Sequence, residues 1–327
     1  MSLRAGIIGA GSMGRNHLRV IKNLKDVEFV GICDSRFEEK SIKDGYKVTK
    51  LITDLLEEKP DYVIVAVPTI KHLEVAETLA DKGIHALIEK PLAHDLDACL
   101  QIEKRFRESN LIGAVGHIER FNPAVREAKK RISQLGQIFQ ISTRREGPFS
   151  GRISDVGVVK DLASHDIDLV EWLTSSKYKS IYAQLNRVTR GANEDMLLAT
   201  GSLDSGIKVS HIVNWISPRK IRSISILGEK GAFEIDTLNG DLTFYENGKL
   251  TSDWENLAYF KGISEGNIIK YSFEKKEPLL CEHESFVNNL LHGESDIVTL
   301  VEGVRVLKVA EAMLQSALLN KSIEVID

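Results

Sequence analysis

The sequence has few cysteines and no long apolar run. Its 327 residues include three widely spaced cysteines without a Cys-x-x-Cys pair, which is neither a zinc-site pattern nor a disulfide framework. Apolar surroundings of Cys33 and a helical pattern around Cys99 instead indicate reduced, packed thiols. No run approaches the roughly 20 apolar residues of a membrane span, and no secretory signal precedes the first strand. We expect a cytoplasmic protein without metal or membrane contacts.

Neither sign of charge dominates. The 43 basic and 47 acidic residues leave a net charge of −4, which gives no reason to expect nucleic-acid binding. Hydrophobic residues make up 43% and charged residues 28% of the chain, as is ordinary for a soluble globular protein. The length is about twice that of a typical domain, and it favours two domains.

A glycine-rich turn near the N-terminus organises the first half. Residues 3–8 predict a short strand, Gly9-x-Gly11-x-x-Gly14 follows it directly, and residues 13–24 predict a helix. This is the context of a dinucleotide-binding motif. Gly9 permits a tight turn, Gly11 lets a pyrophosphate approach the backbone at the helix N-terminus, and Gly14 allows close packing of helix on strand. A purely structural glycine turn is the alternative.

An acidic residue follows at the expected distance. Asp34 ends a second predicted strand, Val27–Cys33, about 20 residues after Gly14. A carboxylate there can accept hydrogen bonds from both ribose hydroxyls of NAD and would repel the 2′-phosphate of NADP. Arg36 could accommodate that phosphate. We therefore favour NAD and keep NADP open, with a helix-capping role of Asp34 as the alternative.

Further predicted strands alternate with helices up to residue 116, which indicates a doubly wound parallel sheet. His72 follows the strand Asp61–Pro68 and could line the cofactor site, but it could equally be a helix cap or a solvated side chain. Lys90 stands at the end of the strand Ile84–Ile88, followed by Pro91. This position directs it to the ligand crevice, unless it is a surface lysine beside a turn.

The second half begins near His117 and contains a second candidate site. Residues 146–159 predict a long loop, either a binding loop or a disordered one. The helix predicted over 160–173 follows it, and Asp161 and His165 lie four residues apart on one face. An aspartate–histidine pair suits acid/base chemistry on an alcohol. A helix acid with an incidental histidine is the alternative.

The remaining chain is mostly β. Six predicted strands between residues 179 and 245 are linked by hairpin turn signals. We expect an α/β protein with a Rossmann domain, residues 1–119, which contains the doubly wound parallel sheet. An α+β domain, residues 120–327, is expected to contain a large, mostly antiparallel sheet whose open face forms a homodimer or homotetramer.

The three motifs in this order resemble the glucose–fructose oxidoreductase/inositol dehydrogenase (Gfo/Idh/MocA) family over nearly the whole chain. The resemblance rests on the glycine motif, on Glu89-Lys90-Pro91 and on Asp161-x-x-x-His165. It implies that His165 is the acid/base for a sugar hydroxyl, that Asp161 orients it, and that Lys90 hydrogen-bonds the reacting oxygen. Ala163 replaces a glycine that many members carry. The implied cofactor contacts are Gly9, Gly11, Ser12, Met13, Gly14, Asp34, Arg36, Pro68, His72, Glu89 and Lys90.

The stretch Gly116–Pro123 resembles the branch that oxidises UDP-N-acetylglucosamine at the 3-position. Arg120 and Asn122 are pocket residues by this resemblance, and an arginine is suited to bidentate contact with a diphosphate. Three arginines could contact a diphosphate in this way: Arg144, Arg145 and Arg152. The alternative is that they are solvated loop charges. The implied substrate contacts are Lys90, Arg120, Asn122, Arg152, Asp161 and His165. A dehydrogenase of a free cyclitol or monosaccharide is the alternative, as is a non-catalytic NAD(P)-binding regulator, since fold does not fix function.

Overall fold

The computed structural model of the protein describes residues 2–37, 41–43, 46–149, 156–189, 193–248, 265–293 and 296–326. The chain forms two compact units. The first unit comprises Met1–Ile118 and Pro278–Lys308, and the second comprises Glu119–Glu277 and Val309–Asp327.

The helices are α1 (Ser12–Ile21), α2 (Ile52–Leu56), α3 (His72–Asp81), α4 (Leu96–Glu108), α5 (Pro123–Arg131), α6 (Ser164–Thr174), α7 (Pro278–His292) and α8 (Leu300–Leu319). The strands are β1 (Leu3–Ile8), β2 (Val27–Cys33), β3 (Ser41–Lys43), β4 (Tyr46–Thr49), β5 (Tyr62–Val65), β6 (His85–Glu89), β7 (Gly113–Gly116), β8 (Ile138–Pro148), β9 (Tyr178–Asn186), β10 (Met196–Leu203), β11 (Lys208–Asn214), β12 (Ile216–Gly228), β13 (Gly231–Asp236), β14 (Asp241–Asn247), β15 (Glu265–Lys270) and β16 (Ile323–Glu324).

The first unit contains a seven-stranded sheet in the order β3-β4-β2-β1-β5-β6-β7. All neighbours are parallel except β3, which pairs antiparallel with β4 at the edge. This confirms the predicted doubly wound sheet, while β3 and β4 add an edge that the sequence analysis did not predict. The chain leaves β1 towards β2 and returns to its other side at β5, so the crevice of this fold opens at the carboxyl ends of β1 and β5.

The central strands of this sheet have apolar, buried interiors. Ile7, Ile64, Val65 and Ile88 are fully buried, because helices cover both faces of a parallel sheet. The sheet is therefore a rigid base for the loops that follow its strands.

Residues 278–308 belong to the first unit, whereas the sequence-based division placed them with residues 120–327. Phe286 of α7 packs edge-to-face on Tyr62 at 5.5 Å between ring centroids, and Phe286 and Val287 belong to the core around β1 and β5. A Cβ at Gly303 would lie 2.6 Å from a methyl group of Val115, so α8 passes close to β7. The apolar face of α7 is buried against a sheet that lies far earlier in the chain.

The second unit contains a nine-stranded sheet in the order β15-β14-β13-β12-β8-β11-β10-β9-β16. Only the β8–β11 pair is parallel, which confirms the predicted, mostly antiparallel sheet. Side chains alternate between a buried face, with Ile141, Val213 and Ile224, and an exposed face, on which Leu198 and Ile212 each keep 38% exposure. β8 extends to Pro148, so the predicted loop from residue 146 begins as strand.

Candidate functional site

The glycine turn after β1 is fixed by close backbone contacts. Gly9 has φ +106°, and a Cβ on it would lie 2.3 Å from the Ala66 carbonyl oxygen. A Cβ on Gly14 would lie 1.8 Å from the Gly9 carbonyl oxygen, whereas one on Gly11 would meet nothing within 4 Å. Positions 9 and 14 therefore require glycine for the fold, and the backbone at position 11 is open to a ligand.

The residues present fit a dinucleotide at this turn. α1 begins at Ser12, and its first turn, which includes Met13, holds no acidic side chain. The unpaired amides and the positive end of the helix dipole suit a pyrophosphate. The cofactor contacts of the individual residues stay predictions.

Asp34 follows β2 and is buried beside the glycine turn. Its Oδ2 accepts a hydrogen bond from the Ala10 amide at 2.7 Å, and the Arg36 guanidinium contacts both carboxylate oxygens at 2.7–2.8 Å. The Arg36 hydrogen bond holds the pKa of Asp34 well below its usual range, and burial opposes this effect. The next described helix begins only at Ile52, so Asp34 does not cap a helix.

His72 connects the segments that follow β5 and β6. Its Nδ1 lies 3.1 Å from the carbonyl oxygens of Pro91 and Leu92, and its Nε2 lies 3.0 Å from that of Val67. Burial lowers the pKa of His72, although these carbonyls act in the opposite direction. The interpretation as a solvated side chain is wrong. Pro68, by contrast, is exposed, and the cofactor contacts of both residues stay predictions.

β6 ends at Glu89, and the half-buried Lys90 follows it directly. The Lys90 amide donates to Glu89 Oε2 at 3.2 Å, and Glu89 Oε1 lies 2.8 Å from His17 Nε2. Burial raises the pKa of Glu89, but His17 and Lys90 together outweigh it, so the pKa lies below its usual value. A buried carboxylate therefore stands directly before the predicted catalytic lysine.

Asp161 and His165 lie where the second unit changes from a π-helical turn, Val159–Ala163, to α6. The predicted helix thus exists, but its first turn is wound more loosely than an α-helix, a feature frequent at functional sites. Asp161 is 4% and His165 9% exposed. Both side chains are thus largely withdrawn from water.

Buried ion pairs fix α6 on the sheet directly after His165. Arg145 of β8 donates to Asp166 Oδ1 at 2.8 Å and to Glu119 Oε1 at 2.9 Å. The interpretation of Arg145 as a solvated loop charge is wrong, because it lies in β8 and is buried. Arg144, on the opposite face, pairs with Glu146 at 2.7 Å. Both guanidiniums are therefore matched by carboxylates within the protein, and Arg152 lies outside the described residues.

The predicted pocket residues Arg120 and Asn122 make contacts inside the second unit. Arg120 forms a buried bidentate ion pair with Asp168 at 2.6 and 2.8 Å. Asn122 caps α5, its Oδ1 accepting from the Ala124 amide at 3.1 Å, and its Nδ2 donates to the Thr237 carbonyl at 2.9 Å. These contacts explain both residue types structurally, and their contacts with substrate stay predictions.

Several buried polar residues were missed from the sequence. His17 and His283 meet in the first unit at 2.8 Å. The half-buried Arg222 was missed as well, and it donates to the Glu146 and Ile221 carbonyls at 2.6 and 2.8 Å. The available signal was a polar residue at a core-facing position of an otherwise apolar pattern, as for His17 on the buried side of α1.

Within the described residues there is no group of three or more metal-ligating side chains. None of the helices in the same ranges has the length and apolar character needed to cross a membrane. Cys33, Cys99 and Cys281 are present as thiols and not in disulfides.

Two family models match the chain. The first describes an oxidoreductase family with an NAD-binding Rossmann fold and matches residues 3–117. The second describes the GFO/IDH/MocA C-terminal domain and matches residues 125–234. The first match lies within the first unit and the second match within the second unit.

The chain also resembles named dehydrogenases over nearly its whole length. It is 28% identical to the UDP-N-acetylglucosamine 3-dehydrogenase of Acidithiobacillus ferrooxidans, over 94% of this chain and 95% of that protein. It is 25% identical to the scyllo-inositol 2-dehydrogenase (NAD(+)) of Bacillus subtilis, over 96% of this chain and 94% of that protein. A solved structure of the Acidithiobacillus enzyme matches with a TM-score of 0.84 at 26% identity, covering 97% of each chain.

Proposed function

This chain belongs to the Gfo/Idh/MocA family of NAD(P)-dependent oxidoreductases that act on sugar hydroxyls, and from this premise we propose that its substrate is a nucleotide sugar. UDP-N-acetylglucosamine, oxidised at the 3-position, is the specific candidate. The observation that carries this proposal is the similarity to the Acidithiobacillus enzyme, which extends through both units. By resemblance, the stretch Gly116–Pro123 points to the same branch.

The proposed chemistry is the oxidation of a carbinol to a ketone. The glycine turn and Asp34 would hold NAD, which would supply the acceptor for the hydride. His165 removes the hydroxyl proton, and Asp161 orients the imidazole. Lys90 donates a hydrogen bond to the reacting oxygen and favours its deprotonation. Near-complete burial of Asp161 and His165 excludes water from the proton transfer and strengthens their electrostatic effect.

NAD is the proposed cofactor rather than NADP. Arg36 is held by Asp34 through two side-chain hydrogen bonds, so this guanidinium is already matched by a carboxylate. A 2′-phosphate placed there would meet the buried negative charge of Asp34. This supports the choice that the position of Asp34 indicates.

A free cyclitol is the second candidate substrate. Similarity to the Bacillus inositol dehydrogenase also extends through both units. In addition, the two described arginines that were considered for a diphosphate, Arg144 and Arg145, are paired with carboxylates.

Reduction of NAD should be followed with UDP-N-acetylglucosamine, other UDP-sugars, myo-inositol, scyllo-inositol and free hexoses. Turnover confined to UDP-sugars supports the proposal, and turnover confined to polyols replaces it with the second candidate.

Substitution of the catalytic residues tests the mechanism. Lys90→Ala and His165→Ala should each lower kcat by about 10²–10⁴-fold, as expected for loss of an acid/base or hydrogen-bonding group, with little change in NAD affinity. Lys82→Ala and His292→Ala replace exposed residues of the same types and should leave kcat unchanged. Wild-type kcat in both active-site variants would contradict the mechanism.

The proposed assembly is a homodimer or homotetramer in the cytoplasm. Leu198, Ile212 and Leu227 are exposed on one face of the nine-stranded sheet, and a second copy would cover them. Ile212→Lys should then shift the mass measured by light scattering towards that of the monomer. An unchanged mass would exclude this face as the interface.

A further inference from the structure

Two buried histidines form a chain that ends on Glu89. His283 Nε2 on α7 lies 2.8 Å from His17 Nδ1 on α1, and His17 Nε2 lies 2.8 Å from Glu89 Oε1 at the end of β6. Both histidines have no exposed surface. The chain therefore joins three separate elements of the first unit to the residue before Lys90.

The geometry determines where the protons lie. His283 Nδ1 is buried and has no hydrogen-bond partner among the described residues. A buried N–H without an acceptor costs about 1–3 kcal/mol, so the neutral ring places its hydrogen on Nε2. That hydrogen is donated to His17 Nδ1, which leaves the His17 hydrogen on Nε2, directed at Glu89. Burial, with the neighbouring His17, lowers the pKa of His283 far below its usual value, consistent with a neutral ring.

The Glu89 carboxylate is also enclosed on its other side. A Cβ at Gly116 would lie 3.3 Å from Glu89 Cδ and Oε2, so glycine leaves just enough room for the carboxylate. Glu89 Oε2 accepts a hydrogen bond from the Lys90 amide. On the far side of Lys90 in the chain, the carbonyl oxygens of Pro91 and Leu92 lie within hydrogen-bonding distance of His72 Nδ1. The turn that carries Lys90 is thus held at both ends by buried histidines.

We propose that His17 and His283 are positioning residues for Lys90, acting through the Glu89 carboxylate. The proposal rests on the proposed function, in which Lys90 contacts the hydroxyl that is oxidised. Directed by His17, Glu89 keeps one orientation, fixes the Lys90 backbone and presents a negative charge to its ammonium group. The Lys90 ammonium group is then already oriented towards the reacting oxygen, so less conformational entropy is lost in reaching the transition state.

Two substitutions at one position separate positioning from simple filling of space. In His17→Gln the amide nitrogen can take the place of Nε2 and donate to Glu89. In His17→Asn the shorter side chain reaches the place of Nδ1 and can contact only His283. The Asn variant should lose about 10²-fold in kcat, the size of effect that a small misplacement produces, with little change in KM. The Gln variant should retain most of kcat, and His85→Gln, at the opposite end of β6, should retain all of it.

The melting temperature of each variant shows whether it is folded, and its kcat and KM then show whether the positioning of Lys90 is lost. A folded His17→Asn variant with wild-type kcat, beside a Lys90→Ala variant that has lost it, would overturn the positioning role and leave the proposed function intact. Wild-type kcat in Lys90→Ala would instead overturn the proposed function itself. If His17→Asn does not fold, Gly116→Ala decides, because the three atoms nearest to its Cβ all belong to Glu89 and two of them are in the carboxylate. A fall in its kcat supports the role, and an unchanged kcat overturns it.

Discussion

Mild acid should destabilise the second unit through His211. This residue lies buried in β11, with Nδ1 2.8 Å from Thr143 Oγ1 and Nε2 2.7 Å from the Tyr178 hydroxyl. Burial lowers the pKa of His211 to about 4. Its neutral ring therefore belongs to the folded state, while the unfolded chain accepts the proton much more readily.

The size and sign of the effect follow from the two pKa values. The ordinary pKa of 6.5 applies to the unfolded chain, against about 4 in the folded protein. Because the folded-state pKa is depressed, this contribution to stability is complete above the unfolded pKa and is lost as the pH falls towards the folded one. From pH 7 to pH 5, His211 should lower the free energy of unfolding by about 2 kcal/mol.

Urea unfolding at pH 7 and pH 5 measures this difference. Because Gln at position 211 cannot titrate, the free energy of unfolding of the wild type relative to His211→Gln should fall by about 2 kcal/mol from pH 7 to pH 5. Other ionisable groups are common to both proteins and cancel. The exposed His292→Gln variant should follow the wild type at both pH values. An equal gap between wild type and His211→Gln at both pH values would refute the reasoning.

Three further comparisons follow from the geometry. Gly11→Ala should keep the wild-type melting temperature but weaken NAD binding, whereas Gly14→Ala should lower the melting temperature because its Cβ would lie 1.8 Å from a carbonyl oxygen; equal stability would contradict this contrast. Arg145→Met leaves buried carboxylates unpaired and should cost about 3–5 kcal/mol of unfolding free energy, while the exposed Arg144→Met should cost at most about 1 kcal/mol; urea unfolding distinguishes them. Asp34→Ala should raise kcat/KM with NADP relative to NAD, and an unchanged ratio would remove Asp34 from cofactor selection.

Local patterns predicted the fold well where the deciding contacts lie close in the chain. The apolar runs around Val63 and Leu87 gave the positions of β5 and β6, since a parallel strand covered on both faces needs apolar residues at every position. The turn signals around Gly206 and Gly240 gave the hairpins of the second sheet. In both cases the residues that specify the element are its own.

Packing between distant segments was not predictable in the same way. The pattern of α7 indicates a buried face but does not say which sheet covers it, and Phe286 packs on Tyr62 of the first unit. Arg145 suggested a loop charge because arginine is seldom buried. Its burial depends on Asp166 and Glu119, which no local pattern connects to it.

The same contrast holds for the candidate site: its local motifs were predictable, and its contacts between distant segments were not. Spacing indicated the glycine turn, whereas Lys90, Asp161 and His165 were singled out by spacing and the family resemblance together. The supporting contacts could not be read from spacing, because His17 and His283 are 266 residues apart in the chain. Motifs give the positions of reactive groups, whereas their orientation depends on contacts that only the folded chain provides.

Transfer of the hydrogen itself tests the central claim most directly. The protein should be incubated with NAD and UDP-N-acetylglucosamine deuterated at C3, and the dinucleotide and sugar analysed by mass spectrometry. Hydride transfer from this carbon predicts deuterium in the reduced nicotinamide and a matching amount of 3-keto sugar, and both should form about 10²–10⁴-fold more slowly in His165→Ala. Bound NAD that stays oxidised and unlabelled, with the sugar unchanged, would contradict it.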